Sequence, residues 1–314
     1  MGFELILPFL QPIAHLIQDP TVSEIMVNHA RRVFIERAGV LSSVDDITLD
    51  ERNVIIAIKN IARLLGDDIS EEVPILDARL PDGSRIAAVL PPCSVNGITL
   101  TIRKFQSRHW TCGELIRVGT ITPGHVALVQ QALATHANVL IGGGTGTGKT
   151  TLLNALATLI PETERVILIE DTAELTLAHP NLVRFEARRA QPHAPAVTVR
   201  DLLRATLRHR PDRILVGEVR GGEAFDLLQA LNTGHAGSLS TIHANSAEQA
   251  LSRFATCVLQ SGVELPYAAI RRLIAQSINL VLHLDRQRGT RTVTQLLQVH
   301  AYDQDSDTYT TRDL

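Results

Sequence analysis

Gly143-Gly144-Thr145-Gly146-Thr147-Gly148-Lys149-Thr150 follows the apolar run Asn138-Val139-Leu140-Ile141 and opens a helical pattern that continues through Thr151 to position 159. The octet has the spacing G-x-x-x-x-G-K-[S/T], and a strand before it and a helix after it are the setting in which that spacing carries chemistry. Glycines let the chain curl so that backbone N–H groups converge on phosphate oxygens, and the following helix adds its positive N-terminal end. Lys149 would bridge the β- and γ-phosphates and the Thr150 hydroxyl would hold Mg²⁺. With 20 glycines in 314 residues and lysine only at Lys59, Lys104 and Lys149, a chance match anywhere in the chain is roughly 2 in 1000. The expectation is a site for ATP and Mg²⁺ built on Gly143, Gly144, Thr145, Gly146, Thr147, Gly148, Lys149, Thr150 and Thr151.

Around the octet, strand-like and helix-like stretches alternate: 138–141, 149–159, 165–170, 182–186, 198–208, 213–217, 222–231, 238–242 and 247–260, with 278–284 and 292–302 as closing strands. Such alternation predicts a mostly parallel sheet covered on both faces. Thr122-Pro123 reads as an N-cap with proline at the first helical position. Upstream, 22–28 and 32–37 read as strands and 50–65 as a helix stopped by Gly66. The pairs 75–80 and 84–90 are joined by the turn Pro81-Asp82-Gly83, and 98–105 alternates as a further strand. The fold class expected is α/β for the C-terminal part, residues 122–314, with a smaller α+β N-terminal domain over 1–105. The polar, glycine-containing stretch 106–121 is read as the linker, and 190–196, with two prolines and a histidine, as a loop.

Composition excludes several classes. A net charge of −3 gives no overall basic signature for nucleic acid, and 45% hydrophobic residues suit a globular chain with a sizeable core. Cys93, Cys112 and Cys257 lie far apart and form no C-x-x-C pair, so neither a disulfide framework nor a tetracysteine zinc site is expected, and a reducing cytoplasm is the simplest home. The apolar stretch 5–17 is interrupted by Pro8, Gln11, Pro12 and His15, is too short to span a bilayer, and follows Glu4 rather than a basic segment. It reads as a short buried or interfacial helix, and membrane attachment would come through protein partners or a weak surface contact.

Hydrolysis needs a carboxylate to organise the metal and a group to position water at the end of the sheet that carries the phosphate loop. Arg213-Ile214-Leu215-Val216-Gly217-Glu218 and Val166-Ile167-Leu168-Ile169-Glu170-Asp171 are apolar strands ending in such residues, which makes Glu218, Glu170 and Asp171 the candidates. Glu174 reads as a cap or surface charge. His235 and His243, eight residues apart in Thr233-Gly234-His235-Ala236-Gly237-Ser238-Leu239-Ser240-Thr241-Ile242-His243-Ala244, lack further ligands for zinc. The arginines Arg204, Arg208, Arg210, Arg213 and Arg220 surround the Glu218 segment. One of them, with Arg208 the chosen candidate, is expected to stabilise the γ-phosphate across a subunit boundary; a solvated basic helix face is the other reading.

Taken together, the phosphate loop, the Ile169-Glu170-Asp171-Thr172 box, Val216-Gly217-Glu218 with Arg220, and the Thr-Gly-His…Thr-Ile-His-Ala box resemble the type II/type IV secretion ATPase superfamily in kind and order. Ser23-Glu24-Ile25-Met26-Val27-Asn28, Asp82-Gly83-Ser84-Arg85 and Leu100-Thr101-Ile102-Arg103-Lys104-Phe105 extend the resemblance over most of the chain. It is greatest for the conjugal-transfer, TrbB-like branch of type IV secretion. The resemblance implies a RecA-like P-loop C-terminal domain, ATP hydrolysis to ADP and phosphate, and a homohexameric ring with nucleotide between the two domains. It further implies a position at the inner face of the inner membrane, with components of a secretion or conjugation machine as partners. By motif position, Arg85 and Arg103 would reach the phosphates, Glu170 would polarise the attacking water, Glu218 would organise Mg²⁺ with Asp171 nearby, and His235 and His243 would relay nucleotide state.

Within the superfamily a type IV pilus or type II secretion ATPase is the alternative reading, and two other classes stay open at this stage. A nucleic-acid motor would draw on the basic segment 184–220, although its only aromatic residue is Phe185 and base stacking needs more. A nucleotide-sensing scaffold would bind ATP and barely turn it over.

Overall fold

The computed structural model describes residues 6–37, 39–105, 109–190, 194–287 and 289–314. The chain forms two compact units, one comprising 1–107 with 190–195 and the other 108–189 with 196–314.

The first unit opens with two short 3₁₀ turns and helix α1 (Ala14–Gln18), whose Leu10, Ile13, Leu16 and Ile17 are buried as the apolar stretch 5–17 requires. Strands β1 (Val22–Asn28), β2 (Val33–Arg37), β3 (Val40–Val44), β4 (Ile75–Arg79), β5 (Arg85–Val89) and β6 (Thr99–Arg103) make an antiparallel sheet in the order β3-β2-β1-β6-β5-β4. Alternate residues along the inner strands, among them Ile25, Ile86, Leu100 and Ile102, are buried with Val54, Ala57, Ile58 and Ile61 of helix α2 (Glu51–Leu64). The Asp50 carboxylate starts that helix by accepting from the N–H groups of Arg52 and Asn53 at 2.8 and 3.2 Å. The other sheet face carries a row of charge set by register: Glu36, Glu24, Arg103, Arg85 and Arg79 stand opposite one another on five consecutive strands.

The second unit differs from the sequence reading at its start. Within the stretch taken for a linker, Cys112–Arg117 is a helix (α3). Thr111 and Glu114 close a capping box at its start, and Leu115 and Ile121 are buried in this unit's core. Apolar contacts at Trp110, Leu115, Ile116 and Ile121 override the polar composition; residues 106–108 of that stretch, like 191–193 of the 190–196 loop, lie outside the described residues.

There follow α4 (Pro123–Ala134), β7 (Val139–Gly143), α5 (Lys149–Ala157), β8 (Val166–Glu170), β9 (Leu182–Glu186), α6 (Val199–Thr206), β10 (Arg213–Val219), α7 (Glu223–Asn232), β11 (Leu239–His243), α8 (Ala247–Leu259), α9 (Tyr267–Ser277), β12 (Leu280–Gln287), β13 (Thr290–Asp303) and β14 (Thr308–Asp313). The sheet order is β14-β13-β12-β7-β11-β10-β8-β9, parallel from β12 to β9 and closed by the antiparallel strands β13 and β14. Side-chain alternation sends Val139 and Ile141 of β7 into a core shared with α3, α4 and α5, and Leu140 into a core shared with α6 to α9. This two-sided burial explains why the strands read as unbroken apolar runs.

Candidate functional site

The strand β7 is buried along its whole length and leaves the sheet at Gly143, where a Cβ would lie 2.7 Å from both the Leu284 carbonyl oxygen and Thr147 Oγ1. Only glycine fits there. The turn ends at Gly148, whose φ of 94° lies in the left-handed region and which caps α5. Lys149, the first residue of that helix, is 7% exposed and donates from Nζ to the carbonyls of Gly143 and Gly144 at 3.0 and 2.9 Å. Thr147 Oγ1 donates to the Gly144 carbonyl at 2.9 Å. Burial pushes the Lys149 ammonium below the ordinary lysine range; Glu218 opposes that shift and Arg220 reinforces it. The lysine is a desolvated cation held by neutral carbonyls, which an arriving phosphate would outbid as a partner. Thr150 and Thr151 lie beside it in the first turn of the helix, partly buried.

On the same edge of the sheet, β11 ends in His243, in register with Gly143, and β10 ends one strand further out. Glu218 lies within β10, which runs two residues past the expected strand end. Its Oε1 faces His243 Nε2 at 3.0 Å, and its Oε2 accepts from Arg220 Nε at 2.5 Å. Arg220 Nη1 in turn reaches Asp171 Oδ2 at 3.3 Å. A polar chain therefore runs His243, Glu218, Arg220, Asp171 along the edge that carries the phosphate loop. Burial holds the His243 imidazole below its usual range, with Lys149 acting in the same direction and Glu218 opposing it.

Glu170 is placed differently. It ends β8, three strands from β7 and hence about 14 Å across the sheet. It is 3% exposed, and its Oε1 accepts from the N–H groups of Glu174 and Leu175, both at 2.8 Å. Arg184 Nη2 stands 3.5 Å from its Oε2 and donates to the Leu175 carbonyl at 2.7 Å. Burial pushes the Glu170 carboxyl up, against those hydrogen bonds and Arg184. In this arrangement Glu170 shapes the acidic loop 171–175.

Two of the sequence candidates are not brought to the loop within the chain. His235 precedes β11, which runs parallel to β7, so the whole strand separates it from the edge where Gly143 lies. Its Nδ1 is buried without a hydrogen-bond partner among the described residues. Arg208 follows α6 and precedes β10, on that same far edge. Strand direction thus separates both residues from the phosphate loop of their own chain, although motif order lists them together; the contact expected of Arg208 is with a neighbouring subunit. The arginine group around Glu218 is also divided. Arg204 pairs with Asp226 at 2.7 Å, Arg220 belongs to the polar chain, and Arg213 is fully buried at the start of β10. Arg213 pairs with Glu164 through Nε and through Nη2 at 3.0 Å, and donates to the carbonyls of Leu133 and Gly237 at 2.8 and 3.2 Å. It is a structural residue. Arg85 and Arg103 are cross-strand neighbours in the N-terminal sheet.

Sequence reading missed Arg291. This residue of β13 donates from Nε to the Gly146 carbonyl at 3.1 Å, at the apex of the loop. No motif marks it, because the antiparallel return strand brings it there.

The family model for type II/IV secretion system proteins matches residues 9–312 of this sequence. The chain belongs to the type II/IV secretion system protein family. Among curated members, the type IV secretion system protein VirB11 of Brucella suis is 36% identical over 304 residues, covering 88% of this chain and 84% of that protein. The conjugal transfer protein TrbB of Rhizobium radiobacter is 35% identical over 292 residues, covering 91% and 86%. An uncharacterized protein of Methanocaldococcus jannaschii is 45% identical over 232 residues, 71% of this chain, and the match spans only 32% of that longer protein. Among solved structures, the VirB11 ATPase of the Brucella suis type IV secretion system, in complex with sulphate, is 34% identical with a TM-score of 0.50, covering 93% of this chain and 96% of that one. The Legionella pneumophila ATPase DotB superposes with a TM-score of 0.64 at 21% identity, covering 95% and 82%, a likeness of fold. The type II/IV secretion resemblance read from the motifs is thus borne out, including its TrbB-like character, and so is the P-loop α/β fold with a smaller N-terminal domain.

Proposed function

We propose that this secretion-family chain is an ATP-hydrolysing motor of a type IV secretion or conjugal transfer apparatus, acting as a homohexamer. The observation that carries the reading is the meeting of Lys149, His243 and Glu218 on one edge of a parallel sheet, around a glycine loop that opens α5. In the reaction, a water oxygen bonds to the γ-phosphorus of ATP, the bond from that phosphorus to the β,γ-bridging oxygen breaks, and ADP and phosphate leave. Lys149 exchanges its loop carbonyls for β- and γ-phosphate oxygens, and α5 turns its positive end to them.

Mg²⁺, when bound, offsets the charge on those oxygens. The residues fit it: the Thr150 hydroxyl and the Glu218 carboxylate are hard oxygen donors, with Asp171 linked to Glu218 through Arg220. No cluster of three His, Cys, Asp or Glu forms a metal cage among the described residues, as suits an ion that takes one or two protein oxygens together with substrate phosphates. The raised Glu170 carboxyl is assigned to polarising water through the acidic loop it orders.

Arg85 and Arg103 are assigned to phosphate contacts. The two are cross-strand neighbours, and Glu24 stands opposite Arg103 on its other side. His243 reports nucleotide state through Glu218, while His235 and Arg208, on the far edge, are left for contact with a neighbouring subunit. Within the basic segment that favoured a nucleic-acid motor, Arg184, Arg200, Arg204, Arg213 and Arg220 pair with carboxylates, Arg200 and Arg204 with the same Asp226. No helix among the described residues is long and apolar enough to cross a membrane; the proposed place is the cytoplasmic face of the inner membrane, held there by partners in the machine.

The test of the motor is phosphate release per chain as protein concentration rises, with light scattering in parallel. Turnover that climbs as a six-chain species forms is the expected result. A strict monomer with concentration-independent turnover contradicts the hexamer.

A further inference from the structure

Arg220 follows Glu218 by two residues and folds back onto it. Its Nε donates to Glu218 Oε2 at 2.5 Å, and its Nη1 reaches Asp171 Oδ2 at 3.3 Å. One guanidinium therefore bridges the end of β10 and the turn after β8, touching Glu218, the carboxylate assigned to the metal ion, and Asp171 beside it. Because arginine keeps its proton, this is a permanent cation resting on an oxygen that a metal ion needs.

That oxygen is poorly shared. Mg²⁺ binds oxygen at about 2.1 Å, so an ion on Oε2 would stand within about 4.6 Å of Arg220 Nε, where a divalent charge and a guanidinium repel. The other oxygen, Oε1, faces His243 Nε2 at 3.0 Å, and His243 is fixed at the end of β11 in register with Gly143. Glu218 keeps only 16% of its side chain exposed, against 57% for Arg220. Of the two partners of Glu218, the arginine is the one with the room and the torsions to leave.

The backbone beneath it is held. Glu223 Oε1 accepts from the N–H groups of both Arg220 and Gly221, at 2.6 and 2.8 Å, and a Cβ on Gly222 would lie 2.8 Å from Ser261 Cα. Release of Glu218 is thereby confined to the Arg220 side chain, which can pivot on Asp171 without moving β10 or α7.

We propose that Arg220 is a positioning residue for metal loading: it holds Glu218 Oε2 in line with His243, yields that oxygen to the divalent ion that accompanies nucleotide, and stays on Asp171. Arg220 thereby competes with the metal for one carboxylate oxygen and sets how much Mg²⁺ the site needs. The inference rests on the reading of Glu218 as the carboxylate that organises Mg²⁺.

The experiment follows Mn²⁺, an ion of the same oxygen chemistry, by paramagnetic resonance as it is titrated into the full-length protein saturated with ADP. Wild type is compared with Arg220→Gln, Arg220→Lys, Glu218→Gln and Arg253→Gln. Arg220→Gln is expected to lower the Kd for Mn²⁺ about three- to fivefold, the size of a partly exposed ion pair that no longer competes. Arg220→Lys stays within about twofold of wild type, because the charge is retained. Glu218→Gln weakens Mn²⁺ binding, since a neutral amide is the poorer ligand. Arg253→Gln, which removes a charge of α8 that is felt at His243, leaves the Kd unchanged. An Arg220→Gln Kd equal to that of wild type overturns the inference. A higher Kd also overturns it, in favour of a support that Glu218 needs in order to hold the ion, and an equal gain in Arg253→Gln overturns it in favour of a general field. A wild-type ADP complex that takes no Mn²⁺, or a Glu218→Gln variant that binds it as wild type does, overturns both the inference and the metal role of Glu218 while leaving the nucleotide site. A wild type that binds no ADP overturns the ATP site as well.

Discussion

Glu218→Gln lowers the rate of phosphate release from ATP by about 10²–10³-fold while ADP binding persists. The substitution keeps the shape of the side chain and removes its charge. At present both carboxylate oxygens are engaged, one by His243 Nε2 at 3.0 Å and the other by Arg220 Nε at 2.5 Å. A neutral amide cannot accept from both partners with two oxygens, and it offers a metal ion one weak carbonyl in place of an anionic pair. It also removes the negative charge that opposes the loss of the Lys149 proton. Arg220 keeps Asp171 at 3.3 Å, and the Arg220 side chain is 57% exposed, so stability falls by less than about 1 kcal/mol. Turnover within threefold of wild type would remove Glu218 from the reaction and move the metal role to Asp171.

Glu164→Ala destabilises the fold by about 3–5 kcal/mol, the cost of leaving a buried charge unpaired. Arg213 has no exposed surface, and Glu164 is the carboxylate that answers it, through both Nε and Nη2. Arg213 has no room to move away. A Cβ on Gly237 would lie 1.9 Å from its Nη1, and the Gly237 N–H is itself fixed by Asn138 Oδ1 at 2.7 Å. The remaining acceptors, the carbonyls of Leu133 and Gly237, are neutral. Urea unfolding followed by circular dichroism measures the loss. A decrease below about 1 kcal/mol would show that water or a shift of Arg213 relieves the charge. The site lies on the edge of the sheet opposite the phosphate loop, so nucleotide affinity of the folded variant is expected to hold.

What could be read in the sequence follows from how each signal arises. The loop was legible because glycine spacing, a lysine and the flanking strand and helix act locally, and β8, β10 and β11 were legible because two-sided burial writes them as apolar runs. Strand β3 was missed: four of its five residues are exposed, so no alternation marks it. Helix α9 and strand β14 were also missed, the first beginning after Pro266 and the second being a polar edge strand, Thr-Tyr-Thr-Thr-Arg-Asp. Helix α3 carried its signal, Thr111 followed by Glu114 three residues later, beneath a composition that reads as linker. Position on the sheet was harder still. His235 and His243 share one motif yet flank β11 at opposite ends, and Arg213, a charge expected at the surface, is buried because Glu164 lies 49 residues away in sequence and in contact in the fold. Arg291 reaches the loop only through the pairing of β12 with both β7 and β13. Local chemistry is written locally, whereas partners across the sheet are set by topology.

The central claim is that ATP is hydrolysed at the loop around Lys149. Steady-state phosphate release from ATP with Mg²⁺, measured for wild type and Lys149→Ala at matched protein concentration, tests it most directly. The account predicts turnover by wild type and a fall of about a hundredfold or more in Lys149→Ala, because the buried ammonium is the cation poised to exchange loop carbonyls for phosphate. Equal rates in the two proteins would contradict it.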